Sequence, residues 1–253
     1  MNNKRVKFLN SYVDALTMDE TIVAAEQIIS RGIPTQHVVI NASKMYLMNK
    51  DEKIKDIINN CELINADGMS IVWGANFLGK KLPERVAGFD LFLELVKVSA
   101  AKGYKPYFFG ATQEVVEKVV CTVKEKYPTL NIAGYRNGYF SDDESPEIAR
   151  EINESGADIL FVAFSSPMKE LWIEQYLEQT NVPFAMGVGG SFDVIAGKTQ
   201  RAPIWMQKAG LEWFYRFIQE PRRMFKRNIL SNSSLIYRVL KEKIKISKNH
   251  RKI

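Results

Sequence analysis

Short apolar runs, each followed by a turn and then a helical stretch, constrain this chain more than any other feature. Residues 36–40, 62–64, 106–109, 159–164 and 183–188 are β-branched or aromatic and too short for helices, so they read as strands. Residues 5–10 and 131–135 add two weaker candidates. Helices are punctuated between them: Thr17-Met18-Asp19-Glu20 has capping-box spacing, Ile22, Ala25, Ile28 and Ile29 follow on one face, and Gly32 closes the stretch. Asn41-Ala42-Ser43 opens a second helix, and residues 90–102 form another that ends at Gly103. Phe109-Gly110-Ala111-Thr112 leads into a helix with Val115, Val119, Val120 and Val123 inward. Ser145-Pro146-Glu147 and Pro167 mark further starts. Five or six strands alternating with helices predict an α/β fold, a Rossmann-like, mainly parallel sheet flanked by helices.

Composition supports one sizeable core, since 46% of the 253 residues are apolar and 11% aromatic. No Gly-, Pro- or Ser-rich linker divides the chain before about residue 203, where strand signals stop. The expected organisation is an α/β catalytic domain over 1–202 and a helical, basic appendage over 203–253. Cys61 and Cys121 lack partner spacing and the only histidines are His37 and His250, which argues against a zinc site or a His-based triad and for a reducing compartment. The N-terminus lacks a signal-peptide core, and runs such as 159–164 are too short to span a bilayer.

Charge is uneven. Residues 222–253 carry eleven Lys or Arg against one acid, Glu242, leaving 24 bases and 28 acids in the first 221 residues. A basic tail on a mildly acidic body suits a polyanionic surface. Apolar positions recur at Leu211, Phe214, Phe217 and Ile218 and at Leu235, Ile236, Val239 and Leu240. Bases interleave with Trp205, Trp213, Phe214, Tyr215, Phe217 and Phe225, a pattern that favours an anionic membrane surface. A helix packed on the body with its bases solvated is the plainer alternative. No nucleic-acid motif accompanies the charge, so nucleic acid is not an expected partner.

Candidate chemistry clusters at strand ends, where open α/β sheets bind ligands. Asp67-Gly68 follows the run at 62–64, and reads either as a simple turn or as a carboxylate presented to a ligand. Gly187, Gly189 and Gly190 follow another strand and would let backbone N–H groups approach a phosphate, though the pattern is not the dinucleotide fingerprint. Asp193 would hold a sugar or ribose hydroxyl, or cap a local helix. Gly110 sits in a similar turn, with Thr112 better read as an N-cap. Asp142-Asp143-Glu144 reads as acids before a helix start rather than a metal site, so neither metal nor cofactor is expected. Arg85, Arg201, Arg216, Arg222 and Arg223 carry guanidinium forks suited to diphosphates.

The stretches NADGMSIVWGANFLGKKLPERVAGFDLF (65–92) and GVGGSFDVIAGKTQRAPIWMQKAGLEWFYRFIQEPRRMFKRN (187–228), in that order, resemble the WecG/TagA/CpsF glycosyltransferases. The likeness runs through about residues 38–228. It implies a GT-E type fold and an inverting, metal-independent hexosyltransferase. The donor would be a UDP-sugar, most often carrying N-acetylmannosamine, and the acceptor an undecaprenyl-diphosphate-linked N-acetylglucosamine of cell-wall or surface-polysaccharide synthesis. The enzyme would work as a peripheral cytoplasmic protein on the inner membrane face. The resemblance makes Asp67 the base and places Asn41, Asp193, Arg201, Arg216, Arg222 and Arg223 at the substrates. Arg85, Gly110, Lys169, Glu170, Gly187, Gly189 and Gly190 complete the expected binding set, with residues 65–90 as a mobile active-site segment in which Arg85 orders on binding.

Two positions depart from the common pattern: Val39-Ile40-Asn41 where many members have Thr-x-Asn, and Pro167-Met168-Lys169-Glu170 where many have Pro-x-Gln-Glu. They leave open transfer of another UDP-hexose or a uronic acid in capsule or exopolysaccharide assembly. From another class, a nucleotide-binding membrane scaffold without catalysis is the rival reading. Apolar positions on the outer helices allow a homo-oligomer without requiring one.

Overall fold

The computed structural model describes residues 4–208, 210–219 and 221–250, with the side chains of 208, 216, 222–228 and 250 outside that description. The Thr17 side chain accepts from the Glu20 N–H and the Glu20 carboxylate accepts from the Thr17 N–H, starting α1 (Met18–Arg31). Gly32, at φ 67°, ends that helix in the left-handed region.

Ahead of α1 the chain forms a hairpin, β1 (Arg5–Phe8) and β2 (Ser11–Asp14), where the sequence reading predicts one strand over 5–10. The difference lies in β2, whose Ser-Tyr-Val-Asp has one aliphatic residue and gives no strand signal. Its polar members are satisfied by partners outside the strand. Asp14 takes two hydrogen bonds from the Arg5 guanidinium at 2.8 Å and one from the Ile64 N–H at 2.7 Å.

The central sheet has six parallel strands: β3 (Thr35–Ile40), β4 (Leu63–Ala66), β5 (Pro106–Gly110), β6 (Gly134–Arg136), β7 (Ile159–Ala163) and β8 (Phe184–Gly187). Their order is β4-β3-β8-β7-β5-β6. The helices between them are α2 (Ala42–Met48), α3 (Glu52–Asn60), α4 (Met69–Phe77), α5 (Gly88–Lys102), α6 (Gln113–Lys126), α7 (Ser145–Glu154), α8 (Met168–Thr180) and the short α9 (Ser191–Ile195). Phe108, Phe161 and Phe184 point to a core under α1, α5 and α6, while Phe109, Leu160, Val162 and Ala185 point to one under α7 and α8. Both faces are covered, which is why these strands read as continuous apolar runs without alternation.

β3 passes the chain outward to β4, whereas β8, its other neighbour, is reached last from the opposite side of the sheet. The helices that leave β3 and β8 also lie on opposite faces, α3 beside α8 and α9 beside α6. The crevice between the carboxyl ends of these two strands is therefore a topological switch point, as is that between β5 and β7; ligands bind at such points in open α/β sheets.

Residues 65–90, expected as a mobile segment, carry a helix. Residues 69–77 form α4, because Ile71, Val72 and Ala75 bury one face, and the glycines on either side had obscured that helix. The chain beyond it is pinned where the Val86 N–H donates to the Ala66 carbonyl at 2.9 Å and the Leu82 N–H to Asn76 Oδ1 at 2.9 Å.

After residue 203 come α10 (Ile204–Lys208), α11 (Glu212–Gln219) and α12 (Pro221–His250), helical as the apolar spacing predicts. Leu235 and Val239 of α12 are buried against Phe8, α2 and α4. A side chain at Gly74 would stand 3.1 Å from Phe8 and 3.2 Å from Val239, so the bare Gly74 backbone permits this close approach. The opposite face of α12 leaves Ile236, Tyr237, Leu240 and Ile244 in solvent. Among the described residues no helix is long and apolar enough to cross a membrane.

Candidate active site

The sheet's carboxyl edge brings together residues more than a hundred positions apart in sequence. Asp67 follows β4 directly, its own N–H donating to the Ile40 carbonyl at 2.9 Å, which fixes the backbone beside the end of β3. One carboxylate oxygen, Oδ1, accepts from the Gly88 N–H at 2.9 Å, at the start of α5. The other, Oδ2, accepts from the Asn41 amide at 3.3 Å. Asn41 is itself held, because its Oδ1 caps α2 by accepting from the Lys44 N–H at 3.0 Å. That cap leaves the NH2 end of the amide facing Asp67. A carboxylate oriented from both sides, at a helix N-terminus and beside the switch point, has the placement a general base needs.

Around it stands a ring of ion pairs. Arg201 donates to both oxygens of Asp90, at 2.6 and 2.8 Å, and its guanidinium lies 4.6 Å from the centre of the Phe89 ring. Burial works against its charge, but Asp90, Glu212 and Asp67 together hold its pKa above the ordinary arginine value. Glu212, at the start of α11, lies 3.1 Å from Arg85 and 3.9 Å from Arg201. Each of these two arginines thus holds a carboxylate, and α11 is attached to the mouth of the cleft through them. The Gln219 amide adds a bond to the Gln200 carbonyl at 3.1 Å.

On the other side of β3 the turn after β8 carries Gly187, Gly189 and Gly190, the expected glycine run. Lys169, near the start of α8, lies across it. A Cβ on Gly187 would stand 2.7 Å from Lys169 Cδ, and one on Gly189 would stand 3.3 Å from its Nζ. Asp193 falls in α9, and a Cβ on Gly190 would be 3.8 Å from its Oδ2, so it faces the same turn.

Two of the expected binding residues have structural contacts of their own. Glu170 is only 1% exposed, and its Oε1 accepts from Lys44 Nζ at 2.6 Å and from the Ser166 hydroxyl at 3.0 Å. Burial pushes its carboxyl up, but the charges of Lys44 and Lys169 and these hydrogen bonds outweigh burial and lower its pKa. It braces α2 against α8. Gly110 is buried at φ 129°, where a Cβ would lie 2.9 Å from the Ala163 backbone. Its glycine answers the close approach of β5 and β7. Thr112 caps α6, as predicted, by accepting from the Val115 N–H at 3.4 Å.

Arg216 falls within α11 and Arg222 and Arg223 within α12, but their side chains lie outside the described residues. Asp142, Asp143 and Glu144 form a single 3-10 turn closed by Ser141. Among the described residues no group of three or more His, Cys, Asp or Glu side chains is placed to hold a metal ion.

Sequence reasoning missed Gly88, Asp90 and Glu212. Asp90 had a readable signal as the only acid in the first turn of α5. Glu212 had none, because its hydrogen-bond partner Arg85 is 127 residues away.

Residues 6–249 match the model of the glycosyl transferase WecG/TagA/CpsF family. The chain is 34% identical over 203 residues to the N-acetylglucosaminyldiphosphoundecaprenol N-acetyl-beta-D-mannosaminyltransferase of Bacillus subtilis (strain 168), covering 80% of this chain and 78% of that protein. It is also 34% identical over 201 residues to the protein of the same name from Bacillus spizizenii, covering 79% and 77%.

Proposed function

We propose, on the premise that this chain belongs to the WecG/TagA/CpsF glycosyltransferase family, that it transfers N-acetylmannosamine from a UDP-sugar to N-acetylglucosaminyl-diphospho-undecaprenol. The observation that carries this reading is the Asp67 carboxylate held by Gly88 and Asn41 beside the switch point. The names of the two Bacillus relatives supply the sugar and the acceptor.

In the proposed reaction the acceptor hydroxyl attacks the anomeric carbon while its proton passes to Asp67. The bond from that carbon to the UDP oxygen breaks, and its electrons leave with UDP. A single displacement inverts the anomeric centre. A well-placed base contributes roughly 10²–10⁴-fold. We read the transfer as metal-independent, with guanidinium groups offsetting the charge on the departing diphosphate. Arg201 already holds Asp90 in a forked contact and Arg85 holds Glu212 through one nitrogen, and Arg216, Arg222 and Arg223 are assigned to the acceptor diphosphate. Asp193 is assigned to a donor hydroxyl.

The reading makes residues 1–202 the catalytic domain and residues 203–253 a basic appendage on the inner face of the membrane. The exposed aromatic residues Trp205, Trp213 and Phe214 support that placement, together with the eleven bases after residue 221. Binding to anionic vesicles should weaken with salt and with removal of residues after 231.

The direct test is incubation with a panel of UDP-sugars and a short-chain N-acetylglucosaminyl-diphospholipid, with and without excess EDTA. UDP-N-acetylmannosamine should be consumed fastest, unaffected by EDTA, with inverted product. Preference for another UDP-hexose, or loss of turnover in EDTA, contradicts the corresponding part.

A further inference from the structure

We propose that Lys169 is the cation that holds the donor's diphosphate, and that residue 187 is glycine so that the lysine can reach it; this rests on the UDP-sugar reading above. Gly187 closes β8 and is not among the glycines with positive φ, so its backbone does not demand glycine. What demands it is Lys169. A Cβ at position 187 would meet Lys169 Cδ at 2.7 Å, Cε at 3.0 Å and Cγ at 3.1 Å. The aliphatic stem therefore lies along the end of β8 and delivers the ammonium to Gly189, whose φ of 54° turns the chain there. The expected direct approach of a phosphate to the Gly187 backbone is replaced by an approach to this ammonium.

Three features suit the site to a diphosphate. The Lys169 side chain is 13% exposed, so its stem is already largely confined and little freedom remains to be lost on binding. Its ammonium lies 3.9 Å from Glu170 Oε1, an oxygen that Lys44 contacts at 2.6 Å and Ser166 at 3.0 Å. The Glu170 charge is thus shared among Lys44, Ser166 and Lys169. The turn also flanks the crevice between β3 and β8, and Asp67 is carried by β4, two strands away. Two strand spacings are about 10 Å, which accommodates one sugar ring between a leaving phosphate and a base. As the bond from the anomeric carbon to the phosphate oxygen breaks, a fixed ammonium offsets the charge that grows on that oxygen. Lysine rather than a neutral amide at this position makes the contact a charged one.

The test is calorimetric binding of UDP and UMP to the full chain and to Lys169→Met, Lys169→Gln, Lys169→Arg, Gly187→Ala and the Lys169→Met/Gly187→Ala double variant. Loss of one charge-assisted contact should weaken UDP binding about tenfold or more in Lys169→Met and Lys169→Gln. UMP should be affected less, and Lys169→Arg should keep most of the affinity. Gly187→Ala should reproduce the loss by pushing the stem aside, with the double variant no weaker than Lys169→Met alone. Wild-type affinity in Lys169→Met, or additive losses in the double variant, would overturn the proposal while leaving the donor reading intact. A wild-type chain that binds no UDP would overturn both. If Gly187→Ala does not fold, the Lys169 series decides alone.

Discussion

The Gly88 N–H lies 2.9 Å from Asp67 Oδ1, tying the carboxylate at the end of β4 to the first turn of α5. With the Asn41 amide on Oδ2, it leaves Asp67 little freedom to rotate. The acid is oriented by backbone placement on one side and by a single side chain on the other.

Asn41 does two jobs that one substitution separates. Asn41→Ser keeps a side-chain oxygen to cap α2 but removes the amide that faces Asp67. Serine and asparagine cap about equally well, so the melting temperature should stay within about 3 °C. Turnover should fall about tenfold, the effect of losing one hydrogen bond to a charged group. Calorimetry and a steady-state assay on the same preparation check both halves.

His37 sets an acid limit on stability. It is 1% exposed on β3, its Nε2–H donates to Asn65 Oδ1 at 2.9 Å, and Asn65 in turn donates to Thr21 Oγ1 at 3.0 Å. Burial pushes the ring's pKa down from 6.5 to about 4, the positive Lys44 adding to that and the Asn65 bond opposing it. The unfolded chain therefore takes up a proton near pH 6.5 that the folded chain refuses until about pH 4. Stability from this group is complete above about 6.5 and lost as pH falls toward 4, by about 3 kcal/mol. Urea unfolding between pH 7 and 4 should show that loss in the wild type and a flatter profile in His37→Gln.

The Lys44–Glu170 pair, 5% and 2% exposed, predicts an asymmetry. Glu170→Gln leaves a buried ammonium uncompensated and should cost roughly 3–5 kcal/mol, whereas replacing both residues with methionine should cost far less. Denaturant midpoints of the single and double variants distinguish a bracing pair from two independent groups.

Much of this was legible in the sequence, for reasons particular residues make plain. Thr17, Asn41 and Thr112 announce helix starts because a cap acts within three residues, and β5 and β7 announce themselves because burial on both faces selects apolar side chains. β2 and α4 were hidden: the first by its polar Ser11 and Asp14, the second by the glycines around it. At the site, Asp67 and Asn41 could be named from family likeness, but the reasons they are fixed could not. Gly88, Asp90 and Glu212 acquire their roles only when the sheet order brings residues 67, 88, 201 and 212 together. The glycine at 187 was assigned to a phosphate, and only the path of the Lys169 side chain accounts for it.

Single-turnover transfer from UDP-N-acetylmannosamine to a short-chain N-acetylglucosaminyl-diphospholipid, compared between the wild type and Asp67→Asn, tests the central claim most directly. The account predicts a folded variant that still binds UDP and transfers the sugar roughly 10²–10⁴-fold more slowly. Transfer at the wild-type rate by that variant would contradict it.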